Sequence, residues 1–192
     1  MAVDANNDVW VGSFNTSDHE KVSGVTGQPI PGTLFNLGCG GYGGLIDGNE
    51  VLWSARGGSG LLRFDTKTMT GESLGFGYGD YGLGIDPQTG EIWHSSLYGD
   101  AINKISPEGK LLGTYSHGSY YAQGVVVDHS GNVWVANSLY DTSVGHLRTD
   151  GTFVGVINLP NQAGPTGVAV DANGKIWATN YNTSNVVRID PN

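Results

Sequence analysis

The stretch that decides the fold is Thr166-Gly-Val-Ala-Val-Asp-Ala-Asn-Gly-Lys-Ile-Trp-Ala-Thr-Asn180, followed by Asn185-Val-Val-Arg-Ile-Asp190. Gly-Val-Ala-Val-Asp reads as a short strand, nearly all apolar and so packed on both faces. Asp171-Ala-Asn-Gly174 supplies residues that tolerate a left-handed backbone in a tight hairpin turn, and Lys-Ile-Trp-Ala-Thr-Asn returns as a second strand.

Working outward, the same unit recurs along the whole chain. The five tryptophans, Trp10, Trp53, Trp93, Trp134 and Trp177, are separated by 43, 40, 41 and 43 residues. Each is preceded by an aspartate, Asp4, Asp47, Asp86, Asp128 or Asp171, six residues upstream in four copies and seven in the third. A polar loop then leads to a third strand and a Gly-rich turn to a fourth, as in Gly109-Lys-Leu-Leu-Gly-Thr-Tyr115 and Gly151-Thr-Phe-Val-Gly-Val-Ile157. Four antiparallel strands in about 40 residues make a propeller blade, because stacking such sheets buries faces that one sheet alone leaves wet. The expectation is an all-β chain, one β-propeller domain or propeller segment over residues 1-192, with five repeats at about 1-38, 39-77, 78-118, 119-162 and 163-192.

The ends leave the blade count open. Met1 stands where Val168 stands in the last copy, and the chain stops after a third strand at Pro191-Asn192. A closed five-bladed ring fits, and so does an excerpt of a six- or seven-bladed propeller, which the ends favour. Either a leader was removed or the sequence is an excerpt.

Composition narrows the partners. With 9 basic against 18 acidic side chains the formal charge is −9, which repels nucleic-acid backbones and anionic membranes. No apolar run approaches the roughly 18 to 20 residues needed to cross a bilayer, so no membrane insertion is expected. Cys39 is the single cysteine, which rules out an internal disulfide and a cysteine-based metal cluster. Few lysines with many Gly, Asn, Ser and Tyr lean toward an extracellular or periplasmic location.

The pattern Gly-Val-Ala-Val-Asp-x-x-Gly-x-Ile-Trp-x-x-Asn, then Val-Val-Arg-Ile-Asp-Pro, resembles the NHL-type repeats and most closely the propellers of the streptogramin (virginiamycin B) lyase group. All five copies carry it. The resemblance implies that ligands enter at the end bearing the 4–1 and 2–3 loops, opposite the Asp-x-x-Gly hairpins. There the inner strands open with Tyr42-Gly43, Tyr81-Gly82, Gln123-Gly124 and Thr166-Gly167, and the 2–3 loops with Ser13, Arg56, Ser96, Asn137 and Asn180. Tyr42, Arg56, Tyr81, Gln123, Asn137, Thr166 and Asn180 are the candidate binding residues, suited to a small molecule, a peptide or a glycan.

The same resemblance implies, for the lyases, histidine and glutamate at this mouth with a divalent metal, opening a lactone by elimination. Here His19, His94, His117, His129 and His146 all miss the positions before inner strands. Lactonase-type propellers hold their metal with Glu, Asn and Asp, which draws attention to Asn137 and Asn180; capping of the 2–3 turns is the plainer role for both. The reading preferred from sequence is a secreted or surface binding scaffold needing no cofactor. The alternative is a streptogramin-lyase-like or lactonase-like enzyme using Mg²⁺ or Ca²⁺.

Other features weigh less. Asp4-Ala-Asn-Asn-Asp8 and Asp171-Ala-Asn-Gly174 place oxygen ligands alternately, yet lack the rest of a twelve-residue calcium loop and read as hairpins. One cation recurs in each third strand, Lys21, Arg63, Lys104, Arg148 and Arg188, on a face where inter-blade ion pairs could form. The tryptophans are expected in the core. Gly77-Tyr-Gly-Asp-Tyr-Gly82 and Tyr120-Tyr121 read as exposed stacking platforms, and Asn15-Thr-Ser17 and Asn182-Thr-Ser184 match the glycosylation acceptor pattern.

Overall fold

The computed structural model describes residues 1–58, 60–76, 80–162 and 164–191. It is all-β, with five antiparallel sheets, each formed by one sequence repeat in strand order. Two compact units partition the chain, Met1–Leu83 and Gly84–Asn192.

In the first unit, sheet 1 holds β1 (Ala2–Val3), β2 (Val9–Gly12), β3 (Asp18–Val22) and β4 (Phe35–Asn36). Sheet 2 holds β5 (Gly43–Ile46), β6 (Val51–Ala55), β7 (Leu61–Asp65) and β8 (Thr70–Leu74). Trp10, Cys39, Leu52, Leu62 and Phe64 are buried together, with Phe35 stacked on Phe64 at 3.7 Å between ring centroids. In the second unit, sheet 3 holds β9 (Asp80–Ile85), which begins just before the unit boundary, β10 (Ile92–Ser96), β11 (Ile102–Ile105) and β12 (Leu111–Tyr115). Sheet 4 holds β13 (Ala122–Val127), β14 (Asn132–Asn137), β15 (Ser143–Arg148) and β16 (Phe153–Asn158); sheet 5 holds β17 (Pro165–Val170), β18 (Ile176–Asn180) and β19 (Asn185–Ile189).

Alternation along β14 explains the layering of the second unit. Val133 and Val135 face the core shared with Trp93 and Ile102, while Trp134 faces the core shared with Ile176 and Ala178. Sheet 4 is thus covered on both faces. The glycine at the head of the inner strand lets neighbouring inner strands meet: a Cβ on Gly124 would lie 2.9 Å from the Val168 nitrogen. Sheet 5 departs from expectation, since its inner strand is not packed on both faces and Ala169 is exposed. Only one face of that sheet joins the core with Trp134.

The hairpin turns have the expected chemistry plus a tether that the sequence reading did not foresee. Asp128 Oδ1 accepts the Ser130 and Asn132 N–H groups at 2.8 and 3.0 Å, while Oδ2 accepts the indole N–H of Trp134 at 3.0 Å. Asp47 holds Trp53 and Asp171 holds Trp177 in the same way, at 3.0 and 2.9 Å. In these three repeats the aspartate therefore fixes both the turn and the tryptophan of the adjacent strand. Trp10, Trp53, Trp93 and Trp134 are buried as expected, whereas Trp177 is 36% exposed.

The basic series needs correction in the fourth copy. Lys21, Arg63, Lys104 and Arg188 lie opposite their tryptophans, but the residue opposite Trp134 is His146, and Arg148 lies opposite Asn132. His146 stacks on Trp134 at 4.0 Å and meets Asn132 Oδ1 at 3.0 Å. In the corresponding places Lys21 pairs with Asp8 at 3.2 Å and Lys104 with Glu91 at 2.7 Å, so the fourth repeat has exchanged both members of an ion pair for an imidazole and an amide. The ion pairs formed by this series run within sheets, because the acids sit on flanking strands and turns of the same repeat.

Candidate functional site

The loop end of each unit is built by its 2–3 connections and the segments that enter the inner strands. In the first unit three candidate residues come together. The Tyr81 hydroxyl donates to that of Tyr42 at 2.9 Å, and the rings lie 5.0 Å apart. Burial, then the neighbouring Tyr42 hydroxyl, pushes the Tyr81 phenol above its ordinary range. Phe14, exposed on the 2–3 loop of sheet 1, meets Tyr42 edge-on at 5.5 Å and lies 6.0 Å below the Arg56 guanidinium. Arg56 is pinned by a 2.6 Å hydrogen bond to Ser17 Oγ. Beneath them His19 is buried, meeting the Ser17 carbonyl and Ser54 Oγ, both at 3.1 Å; burial holds its imidazole below the usual range.

In the second unit Gln123 and Thr166 line a cleft of about 440 Å³ with Ser138, Leu139, Tyr140, Gly164, Tyr181 and Asn182. Among the described residues that lining holds no carboxylate, imidazole, amine or guanidinium. Backbone bonds hold its rims: the Ser138 N–H donates to the Tyr121 carbonyl at 2.7 Å, and the Tyr181 N–H to the Gly164 carbonyl at 3.1 Å. Tyr140 and Tyr181 are 88% and 79% exposed, and Leu139 reaches the loop tip with a left-handed backbone, φ 59°.

Asn137 and Asn180 do not join the cleft lining. Asn137 is fully buried; its Oδ1 faces His117 Nδ1 at 2.9 Å and its Nδ2 donates to Ser143 Oγ at 2.9 Å. Ser143 in turn donates to Asp141, which also receives Ser119 Oγ. Burial works against the Asp141 charge, but the Ser143 and Ser119 hydroxyls outweigh it and hold the carboxyl below its usual range. His117, itself buried, reaches the Gly99 carbonyl at 3.3 Å. This network locks the 2–3 loop of sheet 4. Asn180 is buried and donates to Asn185 Oδ1 at 2.8 Å; its own Oδ1 has no partner among the described residues.

Phe14, Tyr98, Leu139, Tyr140 and Tyr181 were missed from sequence. They lie one to three residues beyond the loop-opening positions, and the aromatic character of all but Leu139 is the signal within the 2–3 loops that marks them. Within the stretch Gly77-Tyr-Gly-Asp-Tyr-Gly82, residues 77–79 lie outside the described residues. Of the acceptor asparagines, Asn15 is exposed and Asn182 lines the cleft. Among the described residues no three of His, Cys, Asp and Glu converge where they could hold a metal ion. The paired aspartates of the hairpin end are instead engaged by backbone, indole and lysine donors.

No protein-family model matches the sequence, and no curated protein matches it. Solved structures do match. A streptogramin B lyase superposes with a TM-score of 0.80 at 17% identity, covering 98% of this chain and 67% of that one. The selenomethionine-substituted virginiamycin B lyase of Staphylococcus aureus superposes with a TM-score of 0.79 at 15% identity, covering 97% of this chain and 67% of that one. Hydrazine synthase of Kuenenia stuttgartiensis follows at 0.71 and 15% identity, covering 84% of this chain and 49% of that one. At such identities the likeness is one of fold: this chain has the propeller-type fold of the streptogramin lyases.

Proposed function

We propose that the chain is a binding module of an extracellular or periplasmic protein, taking an uncharged ligand at the loop end of its second unit. The observation that carries this reading is the cleft of about 440 Å³ walled by exposed Tyr140 and Tyr181, with Gln123, Ser138, Thr166 and Asn182 as its polar contacts. Exposed aromatic faces cost little to order and gain much when covered, and amides and hydroxyls fix the orientation of what covers them. Backbone bonds across the rims pre-organise the loops, which lowers the entropy lost on binding. A catalytic role of the lyase or lactonase kind rests on likeness of fold alone, and fold does not carry activity.

The test is a heteronuclear NMR titration of the chain with small neutral probes, a disaccharide set and a set of capped aromatic dipeptides. Binding is expected to shift the Gln123, Ser138, Thr166 and Asn182 signals, and Tyr140→Ala to weaken it roughly tenfold. Probes that leave these signals in place, or act equally on the Tyr140→Ala variant, would overturn the reading.

A further inference from the structure

Beside the cleft, the second unit carries more exposed aromatic surface than one small ligand can cover. Tyr98 stands on the 2–3 loop of sheet 3, Tyr120 and Tyr121 enter sheet 4, and Tyr140 stands on the 2–3 loop of sheet 4. Their rings form a contiguous set: Tyr98 to Tyr121 at 6.2 Å, Tyr120 to Tyr121 at 4.9 Å and Tyr121 to Tyr140 at 5.5 Å. Tyr140 then forms the wall of the cleft. Tyr98 and Tyr120 are each 58% exposed and Tyr140 more so, while Tyr121 between them is half-buried. The row is also braced, since the Gly99 N–H donates to the Tyr120 carbonyl at 2.8 Å and Ser138 N–H to that of Tyr121 at 2.7 Å.

Building on the reading above, we infer that the ligand is a neutral glycan chain, one end seated in the cleft and the rest lying along the row Tyr140, Tyr121, Tyr98. A row of rings spanning the loops of two successive sheets matches a linear polymer and exceeds what a single ring needs. The C–H face of a sugar ring covers a tyrosine while its rim hydroxyls stay paired. Gln123, Ser138, Thr166 and Asn182 suit those hydroxyls, because amides and hydroxyls both donate and accept. Charge selects the neutral class. The chain carries −9, and Asp100 and Asp141, close in sequence to Tyr98 and Tyr140, accept from Ser116 and Ser119, so polyanionic glycans are repelled. The row is no cage for a quaternary cation, since its rings pack edge-on against one another.

The experiment is calorimetric titration of the full chain with neutral β-linked and α-linked gluco-, xylo- and manno-oligosaccharides, from disaccharide to hexasaccharide. An anionic uronate oligomer and a proline-rich peptide are run alongside. Affinity for one neutral series is expected to rise with chain length. Tyr98→Ala should lower hexasaccharide affinity roughly three- to tenfold and leave the disaccharide unchanged, whereas Tyr140→Ala should weaken both. Tyr98→Phe, which keeps the ring, should bind as the parent does. Disaccharide or dipeptide binding in the cleft without any length dependence would overturn the glycan row and leave the cleft reading standing. Preference for the peptide or the uronate would overturn the neutral-glycan assignment, and no binding of any probe would overturn both.

Discussion

The two units, Met1–Leu83 and Gly84–Asn192, are written in one repeat and settle its demands differently. Each contains a tryptophan without its aspartate tether, for opposite reasons. In the first unit Asp4 Oδ2 is taken by Lys21 at 2.6 Å, and the Trp10 indole N–H is left without a partner among the described residues. In the second, the extra residue between Asp86 and Trp93 spoils the reach, and the Trp93 N–H is left likewise. The loop ends diverge too: the first unit combines aromatics with a pinned arginine, the second combines tyrosines with uncharged amides and hydroxyls. A repeat thus preserves its sheet while each copy spends its polar positions separately.

The largest effect is expected where the tether is intact. Asp47→Ala removes acceptors from the Asn49 and Val51 N–H groups and from buried Trp53, and should cost on the order of 3 to 4 kcal/mol. Asp86→Ala removes only turn bonds to Gln88 and Thr89 and should cost about 1 kcal/mol. Urea unfolding of the two variants measures the difference. Equal losses would mean that the turn, and not the indole bond, is what the aspartate contributes.

Acid should then separate the units. Burial depresses the His94 imidazole to about 4, below its unfolded value of 6.5. The unfolded chain takes up that proton first, so this contribution is complete above pH 6.5 and is lost as pH falls toward about 4. Asp80 runs the other way: burial, only partly offset by the Gly60 N–H, raises it from 3.8 to about 6. Its contribution is complete below pH 3.8 and is lost as pH rises through about 6. The His94 shift should amount to about 3 kcal/mol, and the Asp80 shift, discounted for solvent screening, to about 2 kcal/mol. Asp80→Asn should therefore gain stability over the parent as pH rises to neutral, and His94→Gln should gain over it as pH falls. Amide exchange resolved by peptide assigns each change to its unit, and parallel pH profiles for parent and variants would dismiss both groups.

What was legible in the sequence follows from this contrast. The five sheets could be read because the tryptophan spacing and its preceding aspartate recur in every copy, while inner-strand glycine and Asp-x-x-Gly turns add a backbone signal in the copies that carry them. The indole tether was hidden, since a six-residue spacing does not reveal that Asp and Trp side chains meet on one face until the hairpin is formed. Arg148 was misplaced because two cation-capable residues, His146 and Arg148, sit two apart on one face, and only the register opposite Trp134 chooses between them. Gln123 and Thr166, expected just before their inner strands, lie at the heads of β13 and β17 and line the cleft. Asn137 was drawn by its loop position, yet the buried His117 and Ser143 turn its amide inward. Tyr98, Tyr140 and Tyr181 were hidden because loops of unequal length carry them at different offsets from the tryptophan.

The smallest effect tests the turns themselves. The left-handed position of the hairpin is held by Gly131 and Gly174 in the second unit, at φ 79° and 74°, but by Asn7 and Glu50 in the first, at φ 64° and 67°. A glutamate there suffers the Cβ–carbonyl crowding that glycine avoids. Glu50→Gly relieves it at the expense of one exposed bond, from the Ala5 N–H to Glu50 Oε1 at 3.2 Å, and of extra freedom in the unfolded chain. The net expectation is a gain of about 0.5 kcal/mol. Gly174→Ala is the matched reversal, because a Cβ there meets nothing within 4 Å and its cost is purely that of the backbone, about 1 kcal/mol. The carbonyl of Glu50 also accepts the Thr66 N–H and hydroxyl, at 3.2 and 2.7 Å. If Glu50→Gly is destabilising while Gly174→Ala costs what is expected, the strained glutamate is kept for the contact its side chain makes with Ala5, because the carbonyl bonds to Thr66 survive the substitution.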